Sequence, residues 1–359
     1  MIRRLANVPK RSPAGQAGCA FQIAPLTYVR GSDQVHLWSS PPAINYPRAA
    51  KRNDAERLGR YRPRYNRFMA IELHSETARA IILPEYGGRL HQLYVTAGGE
   101  EHALLWGPDD PAEYSAHPHR GGCFPMAPWP KRIAGGRFTF DGKEWTVPVD
   151  SPPNAIHGRL SNVPWQVVAR TGRVVELTAR FDDTWPWLGK AWQRIELTRT
   201  GLRLKMEVRS ERQPFPAGCG WHPWFRAEVA GGTGARLSVP ATKRYVLKDQ
   251  LPTGETVAPE GDFVLDGRPI GDRRLDDCYT GLDGEIKIDW GTFSMSMTVI
   301  SDQPHVTVFT PGYAVCAEPQ TCVADAFNLA ARDVSNTGFA VATPGRPVSI
   351  ESRWEWERT

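Results

Sequence analysis

LRLKMEVRS, residues 202–210, decides the fold class. Leu202, Leu204, Met206 and Val208 fall on one face of an extended chain, and Arg203, Lys205, Glu207 and Arg209 on the other. Successive side chains of a strand point to opposite faces, so this alternation describes a strand buried on one side. WQRIELTRT (192–200) precedes it and pairs with it across a Thr200-Gly201 turn. RFTFDGKEWTV (137–147) reads as a second hairpin, with Asp141-Gly142 supplying the positive φ of a tight turn. RVVELTARF (173–181), FSMSMTVI (293–300) and HVTVFT (305–310) continue the pattern. Gly and Pro punctuate it at short intervals. Only short stretches, such as 272–275 and 323–331, tolerate a helix, and no internal repeat of fixed period is visible. Many strands without long helices predict an all-β sandwich or barrel, its sheets packed face to face with one concave face left for a ligand.

The chain has 359 residues, 41% of them apolar, enough for one large domain or two ordinary ones. No apolar run approaches ~18 residues, so no membrane span is expected. The opening MIRRLANVPKRS lacks an apolar stretch behind its basic residues, so no secretory signal is expected. Six cysteines show neither a CxxC pair nor zinc spacing, which with the missing signal predicts reduced thiols and a cytoplasmic location. The net charge of +5 is unevenly spread. Residues 1–68 hold 13 basic and three acidic residues, a local +10 that leaves −5 for the rest. This first fifth has no sustained period, so residues 1–66 are expected to be a basic, disordered leader, and 67–359 a single folded domain.

Chemistry-bearing residues gather in a few rigid contexts. Val306, Val308, Phe309, Tyr313 and Val315 read as a buried strand interrupted at Pro311-Gly312. Glu318 follows, pinned by Pro319, which favours an extended backbone and points the side chain off the strand end. An apolar setting favours the neutral acid and makes its conjugate a stronger base; the plain alternative is a surface glutamate. His157 stands in NAIHG and His222 in GCGWHPWFR, each framed by Gly or Pro. A lone histidine among apolar residues is usually part of the core, but two of them with Glu318 make a workable acid–base set. A nearby carboxylate is expected to raise the protonated fraction of such a histidine. Arg132 in PWPKRIAGG offers a fork of donors to paired hydroxyls, and Asp276 with Asp277 in RRLDDCY offers acceptors or a solvated turn. His117-Pro118-His119 has no third ligand nearby. Among the 13 tryptophans, Trp129, Trp165, Trp185, Trp187, Trp221 and Trp224 lie near these motifs, and one or two are expected to touch a ligand. A P-loop, a GxGxxG after a strand and a nucleophile elbow are all missing from the sequence.

From about Met69 onward, the chain resembles the aldose 1-epimerase (galactose mutarotase) family. The motifs that carry the resemblance run in family order: YGGRLHQL (86–93), FPMAPWPKRIAGGRFTFDGKEW (124–145), NAIHGRLSNVPWQV (154–167), GWHPWF (220–225), LDDCY (275–279) and AEPQTCVADAFN (317–328). The resemblance implies an antiparallel β-supersandwich. It also implies Glu318 as catalytic base, His222 as catalytic acid, His157 as the second active-site histidine, and Arg132 and Asp276 as ligands of sugar hydroxyls. Proton transfers then open the sugar ring at the anomeric carbon and close it on the other face, with no cofactor or metal. The implied partner is a small sugar, with no nucleic acid or membrane for the folded domain, in a monomer or homodimer. A phosphorylated or otherwise modified hexose would need two or three cations at the pocket, for which Lys131, Arg132 and Arg89 are candidates. A non-catalytic carbohydrate-binding module of the same fold would have no use for an acid–base pair. A glycoside hydrolase built on Glu318 and Asp276 would leave His222 without a role. The chain departs from the family pattern at Lys131 (usually Asn), Trp224 (often Tyr) and Cys322 (often Gly).

Overall fold

The stretch 202–210 lies in the strand Gly201–Ser210, paired antiparallel with Gly189–Leu197. Leu202 faces Leu197, Leu204 faces Ile195 and Val208 faces Ala191, and all six side chains are buried. A computed structural model of the chain describes residues 70–356, apart from 230 and 233. The leader anticipated over 1–66, and Cys19 with it, lies outside the described residues.

The described chain is nearly all β, in two large antiparallel sheets and three small two-stranded ones. One large sheet has nine strands. It runs from Gln166–Arg170 through the 189–210 hairpin and the C-terminal strand Val348–Trp356 to Asp266–Pro269 at its other edge. The other has twelve strands. At its centre lie, in spatial order, Cys123–Met126, Gly220–Pro223, Ala314–Gln320, His305–Phe309 and Asp276–Leu282. The second hairpin forms as expected over Arg137–Phe140 and Lys143–Thr146, with Asp141 and Gly142 at φ 51° and 70°. The α-helix Ala326–Ala331 falls inside the stretch that tolerated one, whereas 272–275 is turn and irregular chain.

One continuous apolar cluster takes residues from both large sheets, including Leu204, Met297 and Ile350 from one and Leu93, Val306 and Val308 from the other. Along the central strands of the twelve-stranded sheet, Val306, Val308, Val315 and Ala317 join that core. Strand alternation therefore sends Thr307, Phe309, Cys316 and Glu318 to the opposite face. That face is covered too, by a smaller cluster of Phe124, Met126, Trp224, Ala314 and Cys316. A strand covered on both faces has no solvated side, so Ala314–Gln320 is buried at every residue, Glu318 and Gln320 included.

Candidate active site

The site grows out of an interruption in one β ladder. Gly220–Pro223 and Ala314–Gln320 pair at Gly220 with Gln320, and the chain just beyond pairs again at Phe225 with Val315. Both pairs belong to one register, in which His222 falls opposite Glu318. Pro223 and Pro319, which lie between the two pairs, supply no backbone donor to the ladder. Glu318 is thus not off the end of its strand, as its position before a proline suggested. It stands inside a central strand, opposite Thr307 on the other neighbour, and is fully buried.

His222 Nε2 lies 3.2 Å from Glu318 Oε1. The approach is off the line of a hydrogen bond, and among the described residues neither Glu318 oxygen nor His222 Nδ1 has a hydrogen-bond partner. Buried polar atoms without partners are rare enough to call for a reason, and a ligand is one. The imidazole is held between flat faces: its centroid is 4.9 Å from Phe124 at 26° and 5.1 Å from Trp224 at 12°. Phe124 stands opposite His222 on the neighbouring strand, so register supplies this contact also.

Burial dominates the titration of this pair. It pushes the Glu318 carboxyl up to about 8, against the opposing pull of the Lys131 ammonium. It pushes His222 well below the ordinary histidine value, with Lys131 adding to the effect. The sequence had suggested that the carboxylate would raise the histidine. Desolvation reverses that, because it penalises both charged forms at once. Over neutral pH the pair therefore holds one proton, carried by Glu318 beside a neutral His222.

Asp276 opens its strand opposite Phe309 and receives two cations. Lys131 Nζ donates to one carboxylate oxygen at 2.5 Å and an Arg132 guanidinium nitrogen to the other at 3.3 Å. Burial alone would raise Asp276, but Lys131 and Arg132 outweigh it and hold the group below the usual carboxylate range. Asp277, its neighbour in sequence, pairs instead with Arg244 at 3.1 Å. His157 sits edge-on to His222 with ring centroids 5.3 Å apart. Its Nδ1 is a buried atom without a partner, and burial pushes its pKa well down. His157 and Lys131 both take left-handed backbone, φ 58° and 53°, joined by a 2.8 Å bond from His157 N–H to Lys131 C=O. The two-stranded sheet of Arg132–Ile133 with Ala155–Ile156 holds both in place. Next to His157, Gly158 at φ 74° packs so tightly on Ala127 that a Cβ there would lie 2.0 Å from the Ala127 carbonyl oxygen.

Five residues named from sequence, Glu318, His222, His157, Arg132 and Asp276, thus converge on one face of one sheet. A match to the aldose 1-epimerase family model spans residues 69–352. The chain belongs to the aldose 1-epimerase family. It is 27% identical over 235 residues to an uncharacterized Escherichia coli K12 protein, YihR, across 59% of this chain and 75% of that protein. It is 29% identical over 136 residues to the galactose mutarotase of Rattus norvegicus, but this spans only 36% of the chain and 38% of that protein. Among solved structures, a galactose mutarotase-like protein from Clostridium acetobutylicum superposes with a TM-score of 0.71 at 20% identity, covering 81% of this chain and 95% of that one. An aldose epimerase homologue from C. elegans gives 0.70 at 18%, covering 81% and 99%. These likenesses establish the galactose mutarotase-like fold.

Other members of the family motifs do structural work. The Arg89 guanidinium is wholly buried and donates to the carbonyls of Tyr86, Pro118, Arg120, Gly121 and Ser161, so its donors are taken up by backbone. Trp129, Trp165, Trp185, Trp187 and Trp221 belong to the core between the sheets, and Trp224 alone of the six sits on His222. His119, half-buried, stacks edge-on to His157 at 5.1 Å and bonds the Ser161 hydroxyl at 3.1 Å through Nε2. In sequence it stands out only as part of His117-Pro118-His119. Among the described residues, no three His, Cys, Asp or Glu side chains cluster so as to hold a metal ion. The sequence also gave no hint of Phe124 as a wall of the site, since its place there comes from strand pairing. Among the described residues, no helix is long and apolar enough to cross a membrane.

Proposed function

We propose that the protein is an aldose 1-epimerase acting on a free aldose, with Glu318 and His222 as its acid–base pair. The observation that carries this reading is the pair itself: a buried carboxyl and imidazole 3.2 Å apart, with no hydrogen-bond partner among the described residues for either carboxyl oxygen. Transfer of the Glu318 proton to His222 Nε2 gives carboxylate and imidazolium. The carboxylate takes the proton of the anomeric hydroxyl while the imidazolium protonates the ring oxygen, and the C1–O5 bond breaks. The pair is then neutral again beside the open aldehyde, the form that its dry surroundings favour. Rotation about C1–C2 and the reverse transfers yield the other anomer. Every proton is conserved within the pair and the sugar. Asp276 and Arg132 grip hydroxyls that persist throughout, and His157 offers its unpartnered Nδ1.

A phosphorylated sugar would call on free cations. Lys131 and Arg132 both face Asp276, and Arg89 is bound to backbone, which favours a neutral sugar. The deciding experiment is NMR of anomer exchange over a panel of free and phosphorylated aldoses. Exchange of at least one free aldose, faster than the buffer-catalysed rate, is expected. Sugar binding without exchange for any member would overturn the reading in favour of a binding module.

A further inference from the structure

Four rings pack together at one end of the site. Phe124 stacks on His222, and His157 stands edge-on to both, 5.5 Å from Phe124 and 5.3 Å from His222. His119 completes the group, 5.1 Å from His157 and 5.7 Å from Phe124. The other three are buried and His119 is half-buried, so it forms the rim. Nothing in the acid–base chemistry uses it.

His119 is firmly held. The buried Arg89 guanidinium donates to the carbonyls on either side of it, Pro118 and Arg120, and to that of Ser161. The Ser161 hydroxyl, itself buried, pairs with His119 Nε2 at 3.1 Å. Gly87, at φ 80°, packs so closely on this turn that a Cβ would lie 2.1 Å from the Ser161 carbonyl oxygen. Burial, helped by Arg89 and Arg159, pushes His119 down to about 4, so its ring is neutral over ordinary pH. A neutral imidazole has one donor and one acceptor nitrogen. Ser161 engages Nε2, and Nδ1 has no hydrogen bond among the described residues.

We propose that His119 is a specificity-determining residue, whose Nδ1 hydrogen-bonds the hydroxyl on C4 or C6 of the sugar. The position follows from the order of strands. Phe124, His222, Glu318 and Asp276 come in that order across the sheet. His119 lies against Phe124 in a loop bound to Arg89, which opens Arg89–Ala97, the next strand out. His119 and Asp276 therefore flank the acid–base pair from opposite sides. In the epimerase reading, on which this inference rests, Glu318 addresses O1 and His222 addresses O5. Beyond O5 a pyranose has C5, with C4 and C6 attached. On the other side of C1 it has C2 and C3. His119 thus meets the C4–C6 end, and Asp276 with Arg132 the C2–C3 end. The substrate class is a hexopyranose with a free hydroxyl at the end away from C2.

The test reads binding by calorimetry and anomer exchange by NMR. The parent sugar is whichever free hexose binds most tightly, compared with its 2-, 3-, 4- and 6-deoxy forms. Loss of the C4 or the C6 hydroxyl should weaken binding to the unmodified protein roughly 3- to 10-fold, the worth of one neutral hydrogen bond. His119→Phe keeps a ring against His157 and removes both nitrogens. It should raise KM for the parent sugar more than it lowers kcat, and bind the parent and that deoxy form equally well. Penalties at C2 and C3 should persist. His119→Gln, which restores a donor and an acceptor, should recover part of the discrimination. Ser161→Ala is the second probe: it leaves the imidazole in place but frees it to turn, and should shrink the same ratio. Melting curves accompany all three variants. Absence of any C4 or C6 penalty in the unmodified protein, or one unmoved by His119→Phe, would overturn the assignment. A His119-dependent penalty without exchange of any sugar would leave it standing and overturn the epimerase reading instead. Failure of every free hexose to bind would overturn both.

Discussion

At the scale of single residues, the proton on the Glu318–His222 pair is expected to govern both activity and stability. Glu318→Gln and His222→Asn should each lower kcat by at least ~10², the usual worth of a proton-transfer partner, and the double change far less than the product of the two. The profile of kcat/KM against pH should be a bell. Its upper limb falls as pH rises through about 8, where the pair loses its proton from Glu318. Its lower limb lies beneath the ordinary histidine value, where His222 takes a second proton. This order is the reverse of what the two residue types suggest in isolation, and an upper limb that survives unchanged in Glu318→Gln would refute it. The same shift predicts a stability gain. Folded Glu318 keeps a proton that the unfolded chain gives up above its ordinary carboxyl value, so its burial weakens the fold as pH climbs from about 4.5 towards about 8. Glu318→Gln removes that penalty and should melt higher than the unmodified protein at pH 8, with little difference at pH 4. The sequence disclosed which residues come together, because Gly and Pro frame them. It did not disclose their protonation, which depends on a burial no local pattern reports.

Elements position these residues through register, and here the sequence was legible in part. The hairpins 189–210 and 137–146, the strand break at 311–312 and the helix near 326 all follow from alternation and turn residues. The central strands are buried on both faces, so their sequences do not say which side chains share a face with Glu318. Thr307, Phe309 and Phe124 were invisible for that reason. Asp276, Lys131 and Arg132 form a second unit, and its members should respond unequally. Arg132→Ala and Asp276→Ala should both raise KM more than they lower kcat, each lost charge-assisted bond being worth about 1.5–3 kcal/mol. Asp276→Ala should also lower the denaturation midpoint more than Arg132→Ala does, because it strands two cations, one of them nearly buried. An equal loss of stability from the two changes would argue that Lys131 has another partner. Gly158→Ala should cost roughly 2 kcal/mol or more, since it combines positive φ with a collision against Ala127. Chemical denaturation measures that loss directly.

Across the whole molecule, the family match begins at residue 69, next to where the strand pattern starts. A chain beginning at Phe68 is expected to keep its melting temperature and anomer exchange, and a drop of several degrees would show that the leader packs on the domain. The five described cysteines are free and buried. Intact mass after alkylation should show no pair of thiols protected before reduction, and a protected pair would contradict this arrangement. The pairing of His222 with Glu318 carries one more consequence, for the order of events in folding. His222 and Glu318 are separated by all of the chain from 223 to 317, which must form its own strands and return before the two residues can face one another. Contacts so distant along the chain are slow to close. Catalysis should therefore be the last property to appear. When the denatured protein is refolded, anomer exchange should return only with the slowest phase, after most tryptophan burial is complete, and no fragment ending before Gln320 should have any.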